Sequence, residues 1–180
     1  VVQENGLEVH SIVAMSRAAT NNETRRHVML VAEYIGRMIK ELVQRQEDHD
    51  KSKLDTPEIE ILTEVTPELR KCTYGSEEYK MYLGKMKPML EHHYQENRHH
   101  PEHYPGGIKE MNLVDIVEMI CDWKAASRRQ KNGDIYKSIE MNQQRYGYSD
   151  ELKQILKNTV DEIDRLAPPK EIKCQNLSMK

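Results

Sequence analysis

Apolar residues recur three and four positions apart along most of this chain, and no convincing β-hairpin interrupts them. Val28, Val31, Ile35, Met38 and Leu42, joined by Tyr34 and Ile39, fall on one face of a helix. Leu152, Ile155, Leu156, Val160, Ile163 and Leu166 do the same towards the other end. The pattern predicts an all-α chain. Helices are expected over Leu7–Ala18, from Glu23 (capped by Asn22) to about Glu47, from Thr56-Pro57-Glu58, and from a Ser76 cap through Leu83. Pro88 opens or kinks the helix that carries His92 and His93. Tyr104-Pro105-Gly106-Gly107 reads as a loop. Asn112 should cap a helix running to about Lys131, and a further helix should span about Asp134 to Tyr146, closed by Gly147. Ser149 then caps a last helix, over about 150–166, before Pro168-Pro169 and a tail over 168–180.

The chain has 180 residues, which suits one domain able to bury a sizeable core. The net charge of −3 gives no general attraction to nucleic acid or to an anionic membrane. No apolar run approaches the length of a membrane span, and no basic start followed by an apolar core marks a secretory signal. Cys72, Cys121 and Cys174 are odd in number and lack CxxC spacing, which argues against a disulfide framework or a thiolate zinc site. The expected location is therefore the reducing cytoplasm. Phe is absent, so Met and Tyr are expected to fill core positions.

The histidines are unevenly spread. Five of eight lie in the twelve residues His92 to His103, and a sixth, His49, precedes Asp50. Imidazole is the commonest protein ligand for transition metals. A neutral imidazole beside a carboxylate can hold one divalent ion or bridge two. Lys53, three residues beyond Asp50, offers a flexible ammonium to a substrate phosphate. Alternatively, His49 only complements the dipole of a helix end and Lys53 is solvated. If the helix carrying His92 and His93 continues, His92 shares a face with His99, and His93 with His100. One pair can then point inward, with Arg98 as a second anion contact. The alternative is an exposed polar helix end that binds nothing.

A third constellation is Glu118-Met119-Ile120-Cys121-Asp122. Glu118 and Asp122 are four apart on a helix otherwise rich in apolar residues, and a carboxylate buried there needs a cation. Asp115 has a blander role, because Asn112-x-x-Asp115 matches a capping box with Asp in place of Glu. Asp122 is the favoured ligand of the two.

The order His27, His49-Asp50, the histidine cluster, Asp122 resembles the ligand order of the HD-domain phosphohydrolase superfamily. His49-Asp50-Lys51-Ser52-Lys53 is similar to the HD-x-G-K signature of its two-metal branches, with Ser52 in place of Gly. His93 precedes Asp122 by 29 residues, similar to the cyclic-dinucleotide phosphodiesterase branch, although the Gly-Tyr-Pro motif of that branch is not intact in His103-Tyr104-Pro105-Gly106-Gly107. A closer likeness is to an uncharacterised bacterial and phage family sharing HD-x-SK, HH-x3-N-R-HH-x-E and EM-x-CD-x2-AAS segments. These stand here at His49 to Lys53, His92 to Glu102 and Glu118 to Ser127. The likeness covers about residues 25–135. It implies an all-α, HD-like bundle, with the motif-bearing core at about 23–135 of a single domain over 1–180.

The resemblance implies one or two divalent ions (Mn, Fe, Co, Mg or Zn). His49, Asp50 and Asp122 would hold them, with one or more of His27, His92, His93, His99 and His100. Lys53 and Arg98 would offset charge on phosphoryl oxygens, and Glu118 would orient a histidine or act as a general base. The expected activity is hydrolysis of a small phosphate ester or nucleotide. A di-iron oxygenase on the same scaffold and a non-enzymatic nucleotide- or protein-binding module are the alternatives. His27 carries a condition. On one straight helix it would stand about 33 Å from His49, so its role requires a turn between Gly36 and Gln46.

Overall fold

A computed structural model describes residues 2–72, 76–129 and 132–166, with side chains from residue 16 onward. Six α-helices and three short 3-10 turns are present, and no strand occurs among the described residues. The chain is all-α, as the periodicity predicts. Contacts group it into two compact units, residues 1–47 and residues 48–180.

The first unit is a single helix, α1, Val2–Asp48. The sequence reading divides it in two, with Asn22 as the second cap. Instead the helix runs straight through Asn21 and Asn22. Asn costs a helix interior well under 1 kcal/mol relative to Ala, and neither Gly nor Pro stands between Ala18 and Glu23 to stop it. Ion pairs at i, i+4 reinforce it, Glu33 with Arg37 and Glu41 with Arg45.

The second unit holds α2 (Glu58–Leu69), α3 (Glu77–Glu96), α4 (Leu113–Arg128), α5 (Ile135–Tyr146) and α6 (Asp150–Leu166). Their starts follow local chemistry. Ser76 Oγ accepts from Tyr79 N at 3.1 Å. Asn112 Oδ1 accepts from Val114 N and Asp115 N, while Asp115 Oδ2 accepts from Asn112 N at 3.0 Å, completing the capping box. Asp134 caps α5, and Gly147, at φ 67°, closes it in the left-handed conformation glycine tolerates best. Pro88 lies inside α3, which neither starts nor stops there. The helix ends expected at Lys131 and at Pro168-Pro169, the tail, and Cys174 lie outside the described residues.

Two kinds of interior result. Helices α4, α5 and α6 surround an apolar core of Ile108, Met119, Ile120, Ile135, Ile139, Tyr148, Leu156 and Val160. Met and Tyr do stand in the core of this Phe-free chain. Helices α2 and α3 also pack together, but each buries a polar residue with its apolar one: Glu58 with Val65, His93 with Met89. That polar layer belongs to the site.

Candidate metal centre

The motif segments come together within the second unit. Asp50 follows α1 in the left-handed region, at φ 57°, a conformation Asp accepts better than most residues. It opens the 3-10 turn Lys51–Leu54, which brings the Lys53 ammonium back onto Asp50 Oδ2. The Ser52 hydroxyl of this turn meets Asn97 Nδ2 at 2.8 Å and His93 Nδ1 at 3.2 Å.

Helix α3 ends at Glu96, so the seven-residue pairing of the histidines on a continuous helix is not how they meet. Asn97 breaks out at φ −116°. Its backbone N–H and its side-chain amide both donate to His93 O, at 3.0 and 2.8 Å. The chain then doubles back, and three histidines converge instead of one pair. His93 Nε2 and His100 Nε2 lie 3.0 Å apart, and the His99 and His100 rings have centroids 4.2 Å apart.

Carboxylates hold the outer edges of the rings. Glu118 Oε1 lies 2.9 Å from His49 Nδ1 and 3.1 Å from His99 Nδ1. Glu58 Oε2 lies 2.9 Å from His93 Nδ1, and its other oxygen 2.8 Å from His92 Nδ1. A carboxylate at Nδ1 fixes the tautomer with the proton there, leaving Nε2 as the inward lone pair. Asp50 and Asp122 face those inner edges. His93 Nε2 is 3.3 Å and His99 Nε2 3.6 Å from Asp50 Oδ1, and His49 Nε2 is 3.8 Å from Asp122 Oδ1.

Three overlapping groups can hold a metal ion: Asp50, His93, His99 and His100; His49, His99 and Glu118; and His49, Asp50 and Asp122. The electrostatics suit a cation. Asp50 Oδ1 and His99 Nε2 are buried with no hydrogen-bond partner. Asp122 and Glu118 together push the His49 imidazole up to about 10. Burial opposes ionisation of Asp50, yet His93 and Lys53 hold its carboxyl far below the usual range. Burial, followed by the charges of His99 and His93, pushes His100 down to about 3 and keeps it a neutral donor.

Of the residues singled out in the sequence, His49, Asp50, His93, His99, His100, Glu118 and Asp122 meet here, with Lys53 on Asp50. Three do not join them. His27 is exposed on an unbroken α1, so the turn its role required is not formed. His92 binds Glu58 and enters none of the three groups. Arg98 bonds Asp115 through Nε at 3.2 Å and Nη2 at 3.3 Å, so these two donors are committed to a carboxylate of the chain itself. Asp115 also accepts from Tyr104 OH at 2.7 Å, in keeping with its structural reading.

From the sequence, Glu58 is only part of a helix start, Ser52 only stands in place of a motif glycine, and Asn97 only flanks the site beside Arg98. Glu58 is fully buried at 0% exposure. Its signal was a Glu directly after a Pro at a helix start, which is common on exposed surfaces; only the fold turns it inward.

The chain belongs to a family of unknown function, DUF5662, whose model matches residues 16–162. No curated protein and no solved structure matches it.

Proposed function

We propose that this protein is a metal-dependent hydrolase of small phosphate esters or nucleotides. The observation that carries the reading is the pair of buried atoms without a hydrogen bond, Asp50 Oδ1 and His99 Nε2, at the centre of imidazoles oriented by carboxylates. Buried polar atoms left without a hydrogen bond are costly, and a cation between these two would satisfy both. The donor set fits one. Imidazole nitrogens and carboxylate oxygens without thiolate suit Zn, Fe, Co or Mn. His49, Asp50, His93, His99, His100 and Asp122 would hold the ion. When bound, it supplies Lewis acidity at phosphorus and a nucleophile from water at neutral pH.

The remaining work falls to the chain. Glu118 keeps the protons of His49 and His99 at Nδ1, so their Nε2 lone pairs stay inward. Glu58 does the same for His93, with Asn97 and Ser52 fixing the ring. The Lys53 ammonium, held on Asp50 Oδ2, would offer a positive charge to a phosphoryl oxygen of a substrate. Donors fixed before substrate arrives need no reorganisation during reaction.

A second reading, an iron-dependent oxygenase, is favoured by one observation. Arg98 is committed to Asp115, which removes one of the two cations expected to meet a phosphate. Elemental analysis of the purified protein decides first. One or more equivalents of a divalent ion, lost in Asp50→Ala, supports a metal enzyme; a metal-free protein that takes up none of Mn²⁺, Fe²⁺, Co²⁺ or Zn²⁺ rejects both readings. Turnover of phosphomonoesters, nucleotides or cyclic nucleotides with those ions selects the hydrolase. Iron alone, with a near-ultraviolet oxo-iron band and no hydrolysis, selects the oxygenase.

A further inference from the structure

Helix α1 presents an apolar stripe to solvent. Val28 is 58% exposed, Ile35 54%, Ile39 56% and Tyr34 57%. Val31, Met38 and Val43 are exposed as well, and Leu42 is half-buried. The stripe has an order that scattered surface hydrophobics lack. Val28, Val31, Ile35, Met38 and Leu42 follow one another at intervals of three, four, three and four. Over these two heptads the spacing is that of a coiled-coil seam. On the opposite face, Arg26, Glu33, Lys40 and Glu47 recur every seven residues, so the outward position is charged each time.

We propose that α1 pairs with α1 of a second copy of this chain through the Val28–Leu42 seam, making the protein a homodimer. Two observations favour a second copy over other occupants. The repeat is self-complementary, since two identical 3-4 seams mesh as knobs into holes. The patch is also large: nine large hydrophobics between Val28 and Val43 are exposed, well beyond the lone surface hydrophobics of an ordinary monomer. A two-fold axis then makes one stripe serve both chains. Ile39 and Tyr34 flank the seam and widen it, while the Glu33–Arg37 pair stays in water on the outside.

The inference does not depend on the metal reading. The test is sedimentation velocity of the full chain from low to high micromolar concentration, with Ile35→Lys and the outward-facing control Lys40→Ala. The expected result is a dimer for wild type and Lys40→Ala, and a dissociation constant at least about 30-fold weaker for Ile35→Lys, the size of a hot-spot loss. Urea unfolding gives a second reading that does not require the variant to fold well. The wild-type midpoint should rise with protein concentration, because association stabilises the folded form by mass action. A wild-type chain that stays monomeric throughout, with a concentration-independent midpoint, overturns the proposal. So does a dimer that Ile35→Lys leaves intact.

Discussion

The histidine–carboxylate centre and the C-terminal half of α1 break the usual partition of residues in opposite directions. The centre buries polar groups: Glu58 at 0% exposure, His99 at 1%, His93 at 2%. The helix exposes apolar ones, Val28 to Val43, in a continuous stripe. Lone exposed hydrophobics are ordinary, but a buried polar cluster and a large apolar patch each carry information. On the two proposals above, each region meets something outside the chain. In the centre the complement is small, charged and directional, since convergent lone pairs call for a cation. On the helix it is long, apolar and periodic, which calls for another helix.

Removing the ion should separate the two regions most sharply. A ligand present at 1,000 times its dissociation constant stabilises the folded state by about 4 kcal/mol. Chelation should therefore lower the thermal midpoint of the protein by many degrees while leaving the α1-dependent self-association in place. Calorimetry and sedimentation on the same chelated sample test this. An unchanged melting curve would mean that the unpartnered Asp50 Oδ1 and His99 Nε2 are met by water alone, and the comparison would lose one side.

Lys53→Ala should come next in size. It leaves the donors in place but removes a charge from the reacting end, so metal content should hold while kcat/KM on a phosphorylated substrate falls by roughly 2–4 kcal/mol. Lys53→Arg should rescue only partly, because the planar guanidinium is longer and shaped differently. Wild-type turnover by Lys53→Ala would shift weight to the oxygenase.

Glu58→Gln acts one step further out. The amide keeps the size of the carboxylate but not its charge, and its hold on the His93 proton weakens. Metal affinity should fall about 10- to 100-fold, the usual cost of losing such a partner. Competition with a chromogenic chelator measures it. Affinity equal to wild type would assign Glu58 to packing alone.

Much of the fold was legible because it rests on local rules. Asn112, Asp134 and Gly147 act at helix ends in ways a single turn determines. The seam of α1 is visible as periodicity. In the site, residue types and spacing marked His49, Asp50, His93, His99, His100 and Asp122, yet the geometry assumed for the cluster was wrong. A helix through His100 would have paired residues seven apart. The break at Asn97 depends on bonds to Ser52 and His93, 45 and 4 residues away in sequence. Glu58 was missed for the same reason: its two histidine partners lie 34 and 35 residues downstream. Arg98 was misjudged because Asp115, 17 residues on, was read only as a cap.

Arg98 gives the smallest expected effect and the finest test of where the centre ends. Asp115 is fully buried, and although burial raises its pKa, Tyr104, the Asn112 backbone and Arg98 hold it below the usual carboxylate range. Arg98→Ala removes one of these three supports. The other two remain, and the Arg98 side chain is 45% exposed, so solvent already screens part of its contribution. The loss should be about 1 kcal/mol, read as a fall of about 2–4 °C in the thermal midpoint. Arg98→Lys should recover less than half of it, since an ammonium cannot reproduce the two-pronged contact. Metal content should not change, and kcat/KM should stay within about twofold of wild type, because Arg98 has no part in the donor set. The opposite pattern, an unchanged melting point with a tenfold or greater loss of kcat/KM on a phosphorylated substrate, would mean that Arg98 leaves Asp115 to meet the substrate. The centre would then carry two phosphate-binding cations, and the case for hydrolysis over oxygenation would strengthen.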